Sequence, residues 1–143
     1  LGGMKMAIET VRINFEGKER LSRLKKYTGL QNWNVLCRWA LCRSLSDLSI
    51  PSPIDHKGET GVEMTWKVFG GECQEIYLAL IKQRCHKDGF GIDDTVVAEQ
   101  FWLHLHRGLG YLASEKKVKK VYDSGRRSVR GLLELTEDTS KAA

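Results

Sequence analysis

Three groups of residues in this 143-residue chain have types and spacings that bear on chemistry. The first is cationic: between positions 12 and 43, Arg12, Lys18, Arg20, Arg23, Lys25, Lys26, Arg38 and Arg43 meet only Glu16 and Glu19, a net +6. Side chains of that sign suit phosphate oxygens, which Arg grips bidentately and Lys meets as a point charge. The second group is Cys37, Cys42, Cys73 and Cys85 with His86, His104 and His106. Residues adjacent or two apart on a helix point to different faces, so Cys85-His86 and the pair His104, His106 are not zinc pairs. Without Cys-x2-Cys or His-x3-His spacing, neither a zinc site nor an iron–sulfur cluster is expected. The third group consists of motif strings. Gly108-Leu109-Gly110-Tyr111-Leu112-Ala113 spells the G-x-G-x-x-A dinucleotide fingerprint, but it lies late in a helical stripe rather than after a strand, where small residues serve close packing on a neighbouring helix. Ser22-Arg23-Leu24-Lys25 spells S-x-x-K without its companion motifs. The expected chemistry is phosphate recognition, with no metal, no cofactor and no catalytic residue.

The elements that must position these residues follow from periodicity. Val11, Ile13 and Phe15 alternate with Thr10, Arg12 and Asn14, which predicts a half-buried strand. Glu16 to Thr28 carries Leu21, Leu24 and Tyr27 at helical spacing and stops at Gly29. Asn32 is placed to cap a second helix, with Trp33, Leu36, Cys37, Ala40, Leu41, Ser44 and Leu48 on one face, which must end at Pro51. Alternation from Val62 to Val68 predicts a second strand closed by Gly70-Gly71. Glu72 to Asp88 reads as a helix apolar nearly all round from Ile76 to Ile81, and so central to the core. Asp93 or Asp94 caps a last helix with a stripe of Val97, Phe101, His104, Leu105, Gly108, Leu109 and Leu112, extending towards Tyr122.

Composition sets the class. With 29% charged and 41% hydrophobic residues and two prolines, the chain is globular rather than disordered or fibrous. Its longest apolar run, Ile76 to Ile81, is far below the roughly 20 residues of a membrane helix, so no membrane is expected and the expected compartment is the cytoplasm, with the cysteines as thiols. Charge is uneven: Gly58 to Glu115 carries five basic and nine acidic residues, and Lys116 to Arg130 seven and one. Two basic segments flank an acidic middle, as in nucleic-acid binders. Residues 1–6 are read as unstructured or vector-derived, ahead of a start at Met4 or Met6; residues 7–122 as one domain; and 123–143 as a basic loop and tail.

The first fifty residues, strand, helix, tight turn and helix, resemble the ribbon-helix-helix family over Thr28-Gly29-Leu30 and Val35 to Leu41. A lone strand leaves its edges open, so this reading pairs Val11 to Phe15 with the same strand of a second copy and turns Thr10, Arg12 and Asn14 outwards to a major groove. A tighter resemblance spans most of the chain. Glu9 to Phe15, Gly29 to Ala40, Met64 to Gly71 and His104 to Leu112 are similar to DndE, the small subunit of the bacterial DNA phosphorothioation system. That resemblance implies DNA binding in a pathway that replaces a non-bridging phosphate oxygen with sulfur, beside cysteine desulfurase, iron–sulfur and ATPase subunits, and it carries over no catalytic motif. From Tyr122 onwards it ceases. The expected protein is mainly α (α+β), with a ribbon-helix-helix-like N-terminal unit, a short strand and a helical C-terminal part. It is expected to be a non-enzymatic homo-oligomer, a tetramer rather than a dimer, that contacts double-stranded DNA, intact or nicked, through Arg12, Asn14, Lys18, Arg20, Arg23, Lys25, Lys26, Arg38 and Arg43. The alternatives are a ribbon-helix-helix repressor and a structural adaptor for other modification subunits.

Overall fold

The computed structural model describes residues 7–55 and 57–115. Strand β1 (Thr10–Asn14) runs without a loop into α1 (Phe15–Thr28), because Asn14 is at once the last strand residue and the helix cap: its Oδ1 accepts from the Gly17 amide at 2.8 Å. At the far end Gly29 takes φ 74°, and its amide closes on the Lys25 carbonyl at 2.9 Å. Helix α2 (Trp33–Leu45) follows, then β2 (Thr60–Thr65), α3 (Trp66–Gly70), a 3-10 turn (Gly71–Cys73), α4 (Gln74–Lys87) and α5 (Asp94–Ser114). Over the described residues the protein is mainly α with one small sheet, as expected.

The sheet departs from the ribbon expectation. β1 pairs antiparallel with β2 of the same chain, Thr10 opposite Thr65, Val11 opposite Met64, Arg12 opposite Glu63 and Ile13 opposite Val62. The strand that needed a partner finds it fifty residues on. Phe15 does not extend the buried face of Val11 and Ile13; helix begins there and its ring is 52% exposed. The second strand likewise stops before Val68. Thr65 Oγ1 accepts from the Val68 amide and caps α3, so Trp66 and Phe69 meet on one helical face, stacked with ring centroids 5.0 Å apart.

The core is built around α5, whose whole stripe from Val97 to Leu112 is buried, and which packs chiefly on α2. A Cβ at Gly108 would run into the Ala40 carbonyl, so the glycine is what lets α5 and α2 touch. Helix α4 is peripheral instead of central: only Ile81, Arg84 and Cys85 are buried along it, and Ile76 is 59% exposed. Its apolar circumference has just one side to lean on. Helix α2 ends at Leu45, leaving Leu48 outside the helix and exposed, because the guanidinium groups of Arg84 and Arg107 collect its terminal carbonyls. Tyr27 is exposed and Thr28 takes the buried place on α1. Neither Asn32 nor Asp93 makes a side-chain cap bond. Glu115 ends α5; the expected continuation to Tyr122, the basic tail and residues 1–6 lie outside the described residues. No described helix is long and apolar enough to cross a membrane.

Candidate nucleic-acid interface

Helix α1 faces inward through Gly17, Leu21, Leu24 and Thr28, which sets what its remaining positions can do. At about 100° per residue, Arg23 and Lys26 fall near the middle of the exposed face, Lys18 and Lys25 on one edge and Arg20 on the other. Among the described residues, Lys18, Arg23, Lys25 and Lys26 have no carboxylate within ion-pair distance. Lys25, half-buried, lies with Nζ 3.8 Å from the centroid of the Trp33 ring, a contact that leaves its charge unneutralised. Beside Lys18 and Arg23, the exposed Phe15 ring, Ser22 and Glu19 line a shallow hollow of about 460 Å³, so one carboxylate shares this part of the face without coming within ion-pair distance of the cations. A helix face with open cations and exposed aromatic rings at both ends can take phosphate oxygens along about 20 Å of its length.

The other expected contact residues are placed elsewhere or are already engaged. Arg12 is exposed but bound through Nε to Glu63 Oε1 at 2.9 Å across the strand pair. Asn14 spends both polar atoms internally, since Nδ2 donates to the Lys57 carbonyl at 3.0 Å while Oδ1 caps α1. Arg20 is paired with Glu16 at 2.7 Å and lies over Gly110. Arg38 is half-buried against the 3-10 turn at Gly71. Arg43 is drawn to the end of α5, with Nε 2.7 Å from Glu115 Oε1 and its guanidinium over the Tyr111 ring. The structure therefore brings together Lys18, Arg23, Lys25 and Lys26, and separates them from Arg38 and Arg43.

A buried polar cluster behind α2 has a catalytic look that its chemistry does not support. Ser44 Oγ is 2.8 Å from His104 Nδ1, both fully buried. Arg107 Nε donates to the same Ser44 Oγ at 2.8 Å, and no carboxylate orients the imidazole, whose Nε2 is unpartnered. A nucleophilic serine needs its lone pair free and facing substrate. Here the group fixes the end of α2: Arg84 donates to the carbonyls of Leu45, Asp47 and Ser49, and is held by Asp88 at 2.8 Å. Asp47, accepting from the Ser49 amide and hydroxyl and from Tyr111, has its carboxyl held below the ordinary carboxylate range. Burial pushes the His104 pKa down to about 4 and the Cys37 thiol up to about 12, so neither carries charge at neutral pH. All four cysteines are free, Cys37 and Cys85 buried, Cys42 and Cys73 exposed. No three His, Cys, Asp or Glu side chains converge on a metal position among the described residues.

The family model described as DNA sulphur modification protein DndE matches residues 10–120, from the start of β1 to past the end of α5. The chain belongs to the DndE family. Among solved structures, DndE from Escherichia coli B7A, described as involved in DNA phosphorothioation modification, superposes with a TM-score of 0.61 at 18% identity, covering 76% of this chain and 99% of that one. A glycine-to-lysine mutant of DndE involved in DNA phosphorothioation gives a TM-score of 0.56 at 16% identity, over 75% and 98%. No curated protein sequence matches. At these identities the structural likeness speaks for the fold alone. Within it, Phe15 and Tyr27 are surface residues that sequence reasoning assigned to apolar faces, while Trp33 is half-buried against the core as its place on the apolar face of α2 implies; the signal for the first two was their position beside the cations at the two ends of α1.

Proposed function

We propose that this chain is a non-catalytic DNA-binding subunit of a DNA phosphorothioation system, acting in the cytoplasm as a homo-oligomer, a tetramer by preference, together with the other modification subunits. The observation that carries the reading is the exposed face of α1, where Lys18, Arg23, Lys25 and Lys26 stand without carboxylate partners among the described residues, in a member of a DNA sulphur modification family. Such a face binds the backbone of a duplex, intact or nicked, without needing base edges. Operator-specific repression is disfavoured, because the strand that would enter the groove is paired within its own chain and its Arg12 and Asn14 are held by internal contacts.

Each neutralised phosphate contributes roughly −0.9 to the slope of log K against log salt, so about four contacts per protomer give a slope near −3.6 on duplex DNA. The test is electrophoretic mobility of intact, nicked and single-stranded DNA of several sequences across a salt series. Changing Lys25 and Lys26 to glutamate is expected to weaken binding to all duplexes alike and flatten the slope, and the same change at Lys116 and Lys117 to do less. Unchanged affinity from the first pair would remove α1 from the interface.

A further inference from the structure

We propose that the outer edge of β1 takes an extended peptide from a partner protein as a third strand, seated between β1 and α5. In an antiparallel ladder alternate residues turn their amide and carbonyl to opposite sides. The Trp66 amide bonds the Glu9 carbonyl at 2.9 Å, which fixes the phase: Val11 and Ile13 face β2, while Thr10, Arg12 and Asn14 turn their main-chain groups away from it. The Asn14 amide is satisfied on that side by α5, donating to His106 Nε2 at 3.2 Å. Thr10 and Arg12 have no such partner for their amides and carbonyls among the described residues, so two residues of strand edge stand open.

The space beside that edge is already shaped. From His106, the face of α5 runs back through Trp102, Glu99, Ala98 and Thr95, and where it leaves β1 it opens a groove of about 620 Å³. The five residues of β1 span about 17 Å at strand rise, which sets the length of the extended segment that could pair along this edge. Trp102 and Ala98 offer an apolar wall for one side of the incoming strand. Charge selects the other. Arg12 and Lys57 line the groove but are paired with Glu63 and Glu99, whereas Glu9 has no cation within ion-pair distance among the described residues. Among the described residues the uncompensated charge in the groove is a carboxylate, so the fitting peptide alternates apolar and polar residues and carries a Lys or Arg opposite Glu9. A second copy of β1 does not fit, because its own edge is recessed behind its own α5. This inference does not depend on DNA binding.

The test titrates the full chain with a capped hexapeptide of alternating lysine and valine, following amide hydrogen exchange. Exchange at Thr10 and Arg12 is expected to slow with saturation, and N-methylation of the peptide amides in one alternate register, but not the other, to cost about tenfold in affinity, the equivalent of one lost hydrogen bond. Thr95→Arg and Glu9→Lys, both at exposed positions that spare the fold, are expected to weaken binding, as is glutamate in place of the peptide's lysines. No protection at millimolar peptide, or equal binding by both methylated registers, would overturn the proposal. So would protection of Thr10 and Arg12 before peptide is added, since the chain's own flanking residues would then fill the groove.

Discussion

At Gly108 a single hydrogen in place of a side chain decides how two helices meet. The backbone of α5 rests there on the Ala40 carbonyl of α2, with Leu105 and Leu109 on either side fully buried. Gly108→Ala would relieve some backbone entropy in an open helix, worth about 0.5–1 kcal/mol in its favour. In this contact the added methyl must instead push two packed helices apart, which typically costs about 1–3 kcal/mol. The expected outcome is a net loss in a urea titration, with Gly110→Ala, which meets only the flexible Arg20 guanidinium, close to neutral. Equal effects at the two glycines would show that the contact yields.

At the scale of elements, Asn14 joins β1 to α1 and ties both to the loop before β2 through the Lys57 carbonyl. Losing an Asn cap costs about 1 kcal/mol. Asn14→Ala is therefore expected to lower stability by about that amount, more if the Lys57 bond is not replaced by water, while DNA affinity at a temperature where the variant is folded stays within a few fold. Calorimetric melting beside mobility shifts separates the two roles. A selective loss of affinity for particular sequences, with stability intact, would restore Asn14 to a base-reading position. Helix α1 owes its candidate role to the same construction: the cap and the buried Leu21 and Leu24 fix its rotation, and rotation alone determines which cations share a face.

Across the whole molecule, stability should depend on two imidazoles. His106 Nε2 accepts from the Asn14 amide and its Nδ1–H donates to the Trp102 carbonyl at 2.8 Å, so the neutral ring is fully engaged and a further proton would break the bond to β1. Burial pushes the pKa of both His104 and His106 from 6.5 down to about 4. Below pH 6.5 the unfolded chain takes up protons that the folded chain refuses, so their contribution is complete above pH 6.5 and is lost as pH falls through 4. At about 1.4 kcal/mol per pKa unit the loss is on the order of 3 kcal/mol for each ring, a large part of a typical total of about 5–15 kcal/mol. Urea midpoints measured from pH 7 to pH 4 are expected to fall steeply over that window, and His106→Gln to flatten part of the fall. A midpoint constant to pH 5 would mean that the rings are protonated in the fold.

Local order was legible in the sequence wherever it rests on nearest-neighbour chemistry. The alternation of Val11 and Ile13, the glycine stop at Gly29, the buried stripe of α5 and the basic character of α1 each follow from side-chain periodicity and hold in the structure. The apolar run Ile76 to Ile81 misled, because periodicity reports how much of a helix is apolar and not how many neighbours the fold supplies to cover it. The partner of β1 lay beyond local reasoning for the same kind of reason: an open edge demands pairing, but β2 and a second copy satisfy that demand with the same hydrogen bonds, and only the packing of β2 against α1 and α3 of its own chain decides between them. The cations divided likewise. Their number and sign were set by sequence, whereas the withdrawal of Arg12, Arg20 and Arg43 into ion pairs, and of Asn14 into a cap, depends on where Glu63, Glu16, Glu115 and Lys57 come to lie. Composition determines the charge available; tertiary structure determines which of it is left uncompensated, because ion pairing acts over a few ångströms of space regardless of distance along the chain.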